Sequence, residues 1–490
     1  MRPTACLGLD LGTSSLKALV LDREGRTLAT ASAAYPLDAP HPGWSETDPA
    51  AWWSAAVSAG RTALAAAGNP EIAGIGLDGQ MHAPTLVDAD NRPVRPAVIW
   101  SDGRAGSSRS AFAAFPPDLR RRLANPFQTG AGGPVLGWLA EHEPEVLARA
   151  RWALLPKDAV RTHLVEGEPV SDASDASATL LWDVPADGWA DDLAAAWGAD
   201  ARLLPRIAPS SAVAGPLSAE GAAALGLERG IPVAVGASDA AAAALGAGLV
   251  RTGAAQLTVG TGAQCIVIRD DPAPDPTGRT HLYRAAPEGQ WYAMAAVQNS
   301  GLALDWVRRM LGVEWSRLFA TIPDGPPPAD APYFVPNLTE ERPYQPYPGP
   351  GAAFTAAQLH HTADDLLAAA VEGVALGIAL AVAALPGVGG PGPLRLSGGA
   401  SLDAGYRQLL ADVLGRDLET VAVADASGRG AALLGAVAAG WWADPIGASL
   451  AVAPASGQVT PWRPAHHDAW EARRAGWSDA ARRVGAPAAG

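Results

Sequence analysis

CLGLDLGTSSLKALVLD, residues 6–22, decides how this chain is built. Apolar runs flank a small polar tip, so the stretch reads as two strands joined at Gly12, with Asp10 ending the first of them. Gly12 allows a close backbone turn, and the hydroxyls and N–H groups of Thr13, Ser14 and Ser15 can face an anion of phosphate size. Lys17, a few residues on, can neutralise part of the charge on a polyphosphate.

The pattern recurs in QLTVGTGAQCIVI, residues 256–268, where Gly260, Thr261 and Gly262 form the tip. One Gly-Thr tip is ordinary hairpin chemistry. Two copies, one preceded by Asp10, point to duplicated halves that grip the same phosphates from opposite sides. We place the junction near Ala244, which gives a first domain over 1–244, a second over 245–490, and a cleft between them. A third glycine cluster, Ser397, Gly398, Gly399 and Ala400, follows an apolar run and precedes a helical pattern. It reads either as backbone that a nucleotide ring can approach or as a close-packed strand-to-helix turn.

Helical patterns fall at 49–67, 137–150, 218–225, 302–311, 363–384 and 404–414, and short strands at 74–77 and 94–100. Proline-rich stretches at 323–332 and 343–350 read as loops.

GIPVAVGASDAAAAALGAG, residues 230–248, reads as a buried strand, a turn of small residues carrying Asp239, then an alanine-rich helix. Asp239 can cap that helix, or face the cleft as a general base; the residues alone leave both open. Gln80, Met81 and His82 follow one strand, and Trp100, Asp102 and Arg104 end another. An aromatic face with bidentate polar groups is what a sugar needs. The alternatives are a hydrogen-bonded structural histidine at 82 and an ordinary ion pair between Asp102 and Arg104.

Composition narrows the field. With 36 Lys and Arg against 50 Asp and Glu, a formal charge of -14 and no basic block, neither nucleic acid nor an anionic membrane is an expected partner. The 2 cysteines, Cys6 and Cys265, lie in apolar runs, which suits a reducing cytoplasm, and no secretion signal is read at the start. The apolar stretch 373–388 reads as a buried helix. HExxH, CxxC and GxxxxGK[ST] patterns are all missing, which excludes the common zinc hydrolases, dithiol enzymes and P-loop kinases.

Further segments follow in order: HPGWSETDPAAWW (41–53), GLDGQMHAPTLVD (76–88), PAVIWSDGRA (96–105), LLPKDAVRTHLVEGEPVSDASDASATLLWD (154–183), YFVPNLTEERPYQP (333–346), LSGGAS (396–401) and GRGAALLGAVAAG (428–440). With the two hairpin tips and the Asp239 segment, they make the chain resemble the FGGY carbohydrate kinases, and within them the xylulokinases, along nearly its whole length. The resemblance implies an α/β fold of two actin-like, ribonuclease H-like domains closing on ATP, Mg2+ and a ketose. It implies Asp239 as base, Asp10 near the metal and phosphates, and Thr13 and 260–262 at the phosphates. It also puts Gly398, Gly399 and Ala400 at the nucleoside and Met81 and His82 at the sugar.

The expected reaction is conversion of D-xylulose to D-xylulose 5-phosphate. Ribulose, glycerol or a cyclitol stays open, because Ala83 and Ala240 stand where xylulokinases usually carry glycine and asparagine, and Thr339-Glu340-Glu341-Arg342 replaces a Ser-Gly-Glu-Arg run. A non-catalytic nucleotide-dependent sensor is the alternative of another class; Asp10, Thr13, Asp239 and intact glycine clusters argue against it. A homodimer is neither required nor excluded by the sequence.

Overall fold

The computed structural model describes residues 3–342, 345–347, 349–390, 392–421 and 423–485. Its first hairpin pairs β1 (Thr4–Leu11) with β2 (Ser15–Asp22), and β3 (Thr27–Ala34) extends the antiparallel ribbon. The Gly12 N–H donates to the Ser15 carbonyl at 3.1 Å and closes the tip. Helix α1 (Pro49–Ala66) begins where the Asp48 side chain accepts the Ala50 N–H and Pro49 takes the first helical position. Strand β4 (Glu71–Gly79) lies parallel to β1. Strands β5 (Val213–Pro216), β6 (Pro232–Ala234) and β7 (Ala237–Ser238) complete a seven-stranded sheet ordered β5-β6-β4-β1-β2-β3, with β7 also on β4. Helix α2 (Asp239–Gly246) leaves directly from β7. On one face α1 buries Trp52, Ala56 and Ala63 against Leu7, Leu9 and Leu77.

The second half repeats the plan. Strands β8 (Ala255–Val259), β9 (Ala263–Arg269), β10 (His281–Arg284) and β11 (Trp291–Val297) are antiparallel neighbours. Helices α3 (Gly301–Met310), α4 (Trp315–Ala320) and α5 (Ala363–Ala383) follow. Then come β12 (Leu394–Ser397), α6 (Ala404–Leu414), β13 (Leu418–Val421), α7 (Ala426–Ala438), β14 (Ser456–Thr460) and α8 (Pro464–Val484). This sheet is also seven-stranded, ordered β10-β11-β9-β8-β12-β13-β14. In both sheets a hairpin strand at the centre pairs antiparallel on one side and parallel on the other, the duplicated ribonuclease H-like plan.

Helix α5 is fixed at its start by a reciprocal bond pair between Thr362 and Asp365. It is the one helix among the described residues long and apolar enough to cross a bilayer, and 78% of its apolar window is buried inside the fold.

Helix α7 belongs to the second half of the chain but lies on the face of the first sheet opposite α1. Glycines make this approach feasible. A Cβ on Gly8 would overlap the Gly428 carbonyl, one on Gly74 the Gly435 carbonyl, and one on Gly76 the Ala431 carbonyl. Gly430 meets Ala242 of α2 in the same way, and Gly246 meets Ala426. Backbone thus rests on backbone, with no side chain between to yield. Gly76→Ala is expected to cost about 3 kcal/mol, the upper end for an overpacked core, measured as a lower urea midpoint at unchanged slope.

Two expected elements differ. The helix over 137–150 is two helices, Gly132–His142 and Pro144–Arg149, because Pro144 has no N–H to continue the first and starts the second instead. In the strand expected over 94–100, only Ala97–Val98 pairs, with Glu46–Thr47, before the chain turns. Of the second proline-rich loop, Pro343, Tyr344 and Pro348 lie outside the described residues.

Candidate active site

The start of α2 carries Asp239. Ser238 is the residue preceding the helix, and its side chain makes no capping bond; among the described residues the Asp239 carboxylate accepts only the next N–H, that of Ala240, at 2.6 Å. Its other oxygen is left for the cavity of about 400 Å³ that it lines. The wall joins both halves of the chain: Met81, His82, Trp100 and Gln128 from the first, Gly260, Gly262, His281, Met294 and Arg342 from the second. Burial first, and then the like charge of Asp10, push the Asp239 carboxyl up to about 7. That value suits a base working near neutrality.

His82 sits at φ 83, in the left-handed region that residues other than glycine rarely enter. The imidazole Nδ1–H donates to the Ala178 carbonyl at 2.7 Å. Burial, helped by the charge of Arg342, lowers its pKa to about 4, so the ring is neutral and Nε2 remains an acceptor for a hydroxyl. Trp100 is 39% exposed, lines the cavity, and donates Nε1–H to Thr13 Oγ1 at 2.9 Å.

A second cavity of about 520 Å³ shares Gly260 with the first. Its wall is Thr261, Ser300, Gly301, Asp305 and Gly399 with Trp315, Phe319, Leu402 and Tyr406. The aromatic and aliphatic side suits a purine, and the tip and the α3 start offer polar backbone. The Gly260 and Thr261 carbonyls accept the Gly301 and Leu302 N–H groups, which locks the tip onto the start of α3. Gly398, at φ 86, lies so close to Val259 that a Cβ would overlap its carbonyl. Gly398 is thus a packed turn, and Gly399 lines the cavity. Ala400 falls in the single turn Gly399–Ser401.

Asp10 is 5% exposed and accepts the Ser427 hydroxyl, from the first turn of α7, at 2.6 Å. Lys17 bonds Asp425 at 2.9 Å and thereby ties the first hairpin to the approach of α7. Gly12 and Ser14 stay at the tip; the Gly12 carbonyl accepts from Tyr35.

Three expected sugar contacts do not reach the cavity. Gln80 is 1% exposed and donates Nε2–H to the Gly12 carbonyl at 3.3 Å, bracing the tip from behind. Asp102 is fully buried and is bonded by Arg104 and by the Ser45 N–H at 2.6 Å. Arg104 also bonds Glu46 at 2.6 Å and stacks on Trp44 with its guanidinium carbon 3.8 Å from the ring centre. Both are consumed in shaping the loop that holds Trp100, so the ion-pair alternative is the one the structure adopts.

Residues beyond the sequence reading also matter. Gln128, His281, Met294, Trp315, Phe319 and Tyr406 line the two cavities. The Trp315 and Phe319 spacing of one helical turn was the available signal. Asp78, 1% exposed, pairs in register with Asp10; burial, then the charges of Asp10 and Asp239, push its carboxyl well above the usual range. Behind Asp239 lies a fully buried ionic cluster. Lys157 Nζ reaches Asp158, Asp172 and Asp175 at 2.8, 3.0 and 3.1 Å, and Arg161 reaches Asp158 at 2.8 Å. Asp172 accepts the Ser174 hydroxyl, which in turn accepts the Ser238 N–H at 2.9 Å, so the cluster positions the backbone next to Asp239.

Comparison with known proteins gives a family and a fold. Residues 5–246 match the model of the FGGY family of carbohydrate kinases, N-terminal domain, and residues 255–439 match the C-terminal domain of the same family. The chain is 31% identical over 415 residues to a xylulose kinase of Escherichia coli (strain K12), covering 84% of this chain and 85% of that one. It is 30% identical over 469 residues to a glycerol kinase of Aromatoleum aromaticum, with 89% and 90% covered. The crystal structure of a xylulose kinase from Rhodospirillum rubrum superposes with a TM-score of 0.90 at 28% identity, covering 98% of this chain and 99% of that one.

Proposed function

The chain belongs to the FGGY family of carbohydrate kinases, and on that premise we propose that it phosphorylates D-xylulose to D-xylulose 5-phosphate with ATP, using Asp239 as general base. One observation carries the reading: Asp239 opens onto a cavity that shares Gly260 with the apolar, purine-sized one, so a sugar hydroxyl and a terminal phosphate can meet there.

The ketose lies against Met81, Trp100 and the neutral His82, and the nucleotide against Gly399, Trp315 and Tyr406. Asp239 accepts the proton of the hydroxyl as its oxygen attacks the γ-phosphorus in line, and ADP leaves. Closure of the two halves excludes water, the competing acceptor.

Mg2+ fits the residues present. Asp10 supplies hard oxygen near enough to Asp239 for its charge to raise that carboxyl, and among the described residues no lysine or arginine pairs with Asp10 or Asp239, so the charge there is open to a cation. When bound, the ion neutralises charge on the triphosphate. The buried free thiols Cys6 and Cys265 favour a reducing, cytoplasmic setting.

A second reading, a kinase of ribulose, glycerol or a cyclitol, is favoured by Ala240, whose methyl group lines the sugar cavity where an asparagine would bond a hydroxyl. The change at 339–342 is less telling. Glu341 accepts the Gln298 and Asn299 N–H groups at 3.0 Å, and so fixes the loop that brings Arg342 to the wall. ADP release measured over a panel of ketoses and polyols tests the choice. The highest kcat/KM is expected with D-xylulose; a higher value with glycerol, ribulose or a cyclitol overturns the substrate while leaving the kinase.

A further inference from the structure

Arg342 stands in the wall of the sugar cavity with Met81, His82 and His281, and among the described residues no carboxylate pairs with it. The two acids beside it in sequence are engaged elsewhere. Glu341 is buried and accepts the Gln298 and Asn299 N–H groups, the Asn299 side-chain amide and the Arg342 N–H itself. Glu340 is largely exposed and lies 3.9 Å from Arg109. The Arg342 side chain makes no hydrogen bond among the described residues, and its Nε is buried without a partner. A guanidinium has several N–H donors and no acceptor, and it stays charged at any ordinary pH, so one left bare in a wall needs a reason.

The groups around it carry no charge of their own. Burial first, and then the charge of Arg342, keep the His82 and His281 imidazoles neutral. His281 is committed as well, with Nδ1 2.7 Å from the Tyr283 hydroxyl and 3.3 Å from Asn125 Oδ1. Asp239, in the same wall, answers instead to burial and to Asp10. The cavity thus has two unlike ends, a proton acceptor at Asp239 and an unused donor fork beside His82 and His281.

We propose that Arg342 is the specificity-determining residue for the keto end of the sugar, its guanidinium donating to the carbonyl oxygen and to the hydroxyl beside it while the hydroxyl at the far end faces Asp239. This rests on the reading of the chain as a D-xylulose kinase. A carbonyl oxygen only accepts and a guanidinium only donates, and the fork takes two neighbouring oxygens at once. Reduction of the carbonyl puts a tetrahedral centre there and swings its oxygen out of that plane. Glycerol and cyclitols have no carbonyl to offer.

The test follows ATP-dependent phosphorylation of D-xylulose and of D-arabinitol, one of its reduced counterparts, by the full-length protein. In the wild type kcat/KM for D-xylulose is expected to exceed that for D-arabinitol by about tenfold or more, the scale of one hydrogen bond to a charged group. Arg342→Met should raise KM for D-xylulose by a similar factor with kcat and KM for ATP little changed, the pattern of lost binding, and should abolish most of the preference over D-arabinitol. Arg342→Lys, which keeps the charge but not the fork, should keep the raised KM. Melting separates a ligand contact from a structural role. A guanidinium without a partner holds nothing together, so Arg342→Met should melt no lower than wild type in the absence of sugar. Arg342→Gln takes its place if the methionine variant does not fold. An unchanged KM and preference in the variant, or a clear fall in its melting temperature, overturns the assignment. So does a higher wild-type kcat/KM with the sugar acid D-xylonate than with D-xylulose, because the guanidinium would then serve a carboxylate. A wild type that phosphorylates glycerol and not D-xylulose overturns the substrate reading instead.

Discussion

Asp239→Asn is expected to lower kcat by about 10²- to 10⁴-fold, the range over which a positioned base contributes, with the ATP dissociation constant within twofold of wild type by calorimetry. The amide matches the carboxylate in shape, and its oxygen can still accept the Ala240 N–H, so the start of α2 should survive. It cannot take the proton of the attacking hydroxyl. The wild type should also show an acid limb. A base works in its deprotonated form, and the Asp239 carboxyl is raised to about 7, so kcat/KM for the sugar should climb as pH rises toward that value and level off above it. Burial, the larger cause, persists in the loaded enzyme, whereas the repulsion from Asp10 weakens as cation binds; more Mg2+ should therefore move the limb to lower pH. A variant that turned over at the wild-type rate, or kept the limb, would remove Asp239 from the mechanism.

Lys157→Met should cost about 3–5 kcal/mol, the loss expected when a buried charge cluster is deprived of one sign, read as a fall in urea midpoint or as failure to fold. Burial alone would strip the Lys157 ammonium of its proton, but Asp158, Asp172 and Asp175 reverse that and hold the group charged. Without it, three fully buried carboxylates share only Arg161, which already serves Asp158 and the carbonyls of Val170 and Val235. Where the variant folds, turnover should fall as well, because Asp172 and Ser174 no longer hold the Ser238 N–H that positions Asp239. Stability unchanged within 1 kcal/mol would mean that the cluster is not compensated as described.

The two hairpin tips were legible because glycines interrupt runs of alternating apolar residues, a local signal needing no partner. Asp239 was legible for a similar reason, a strand, a turn of small residues and a helix in one stretch. Gln80, Asp102 and Arg104 were misplaced because a polar residue at a strand end can face either way, and what turns them inward is remote: Gly12 for Gln80, Ser45 and Glu46 for the ion pair. The purine-sized cavity escaped notice because Trp315 and Phe319 of α4 and Tyr406 of α6 come from two helices whose faces meet only after the second sheet has formed.

The seam between α7 and the first sheet bears on how the protein is made. A ribosome delivers Gly8, Gly74 and Gly76 early and Gly428, Ala431 and Gly435 near the end, yet these carbonyls and glycines must interlock. During synthesis one side of the early sheet therefore stays uncovered, a surface for holdase chaperones or for misassociation. A fragment ending at residue 246 should emerge from cells as aggregate, and should be rescued by supplying residues 247–490 as a separate chain.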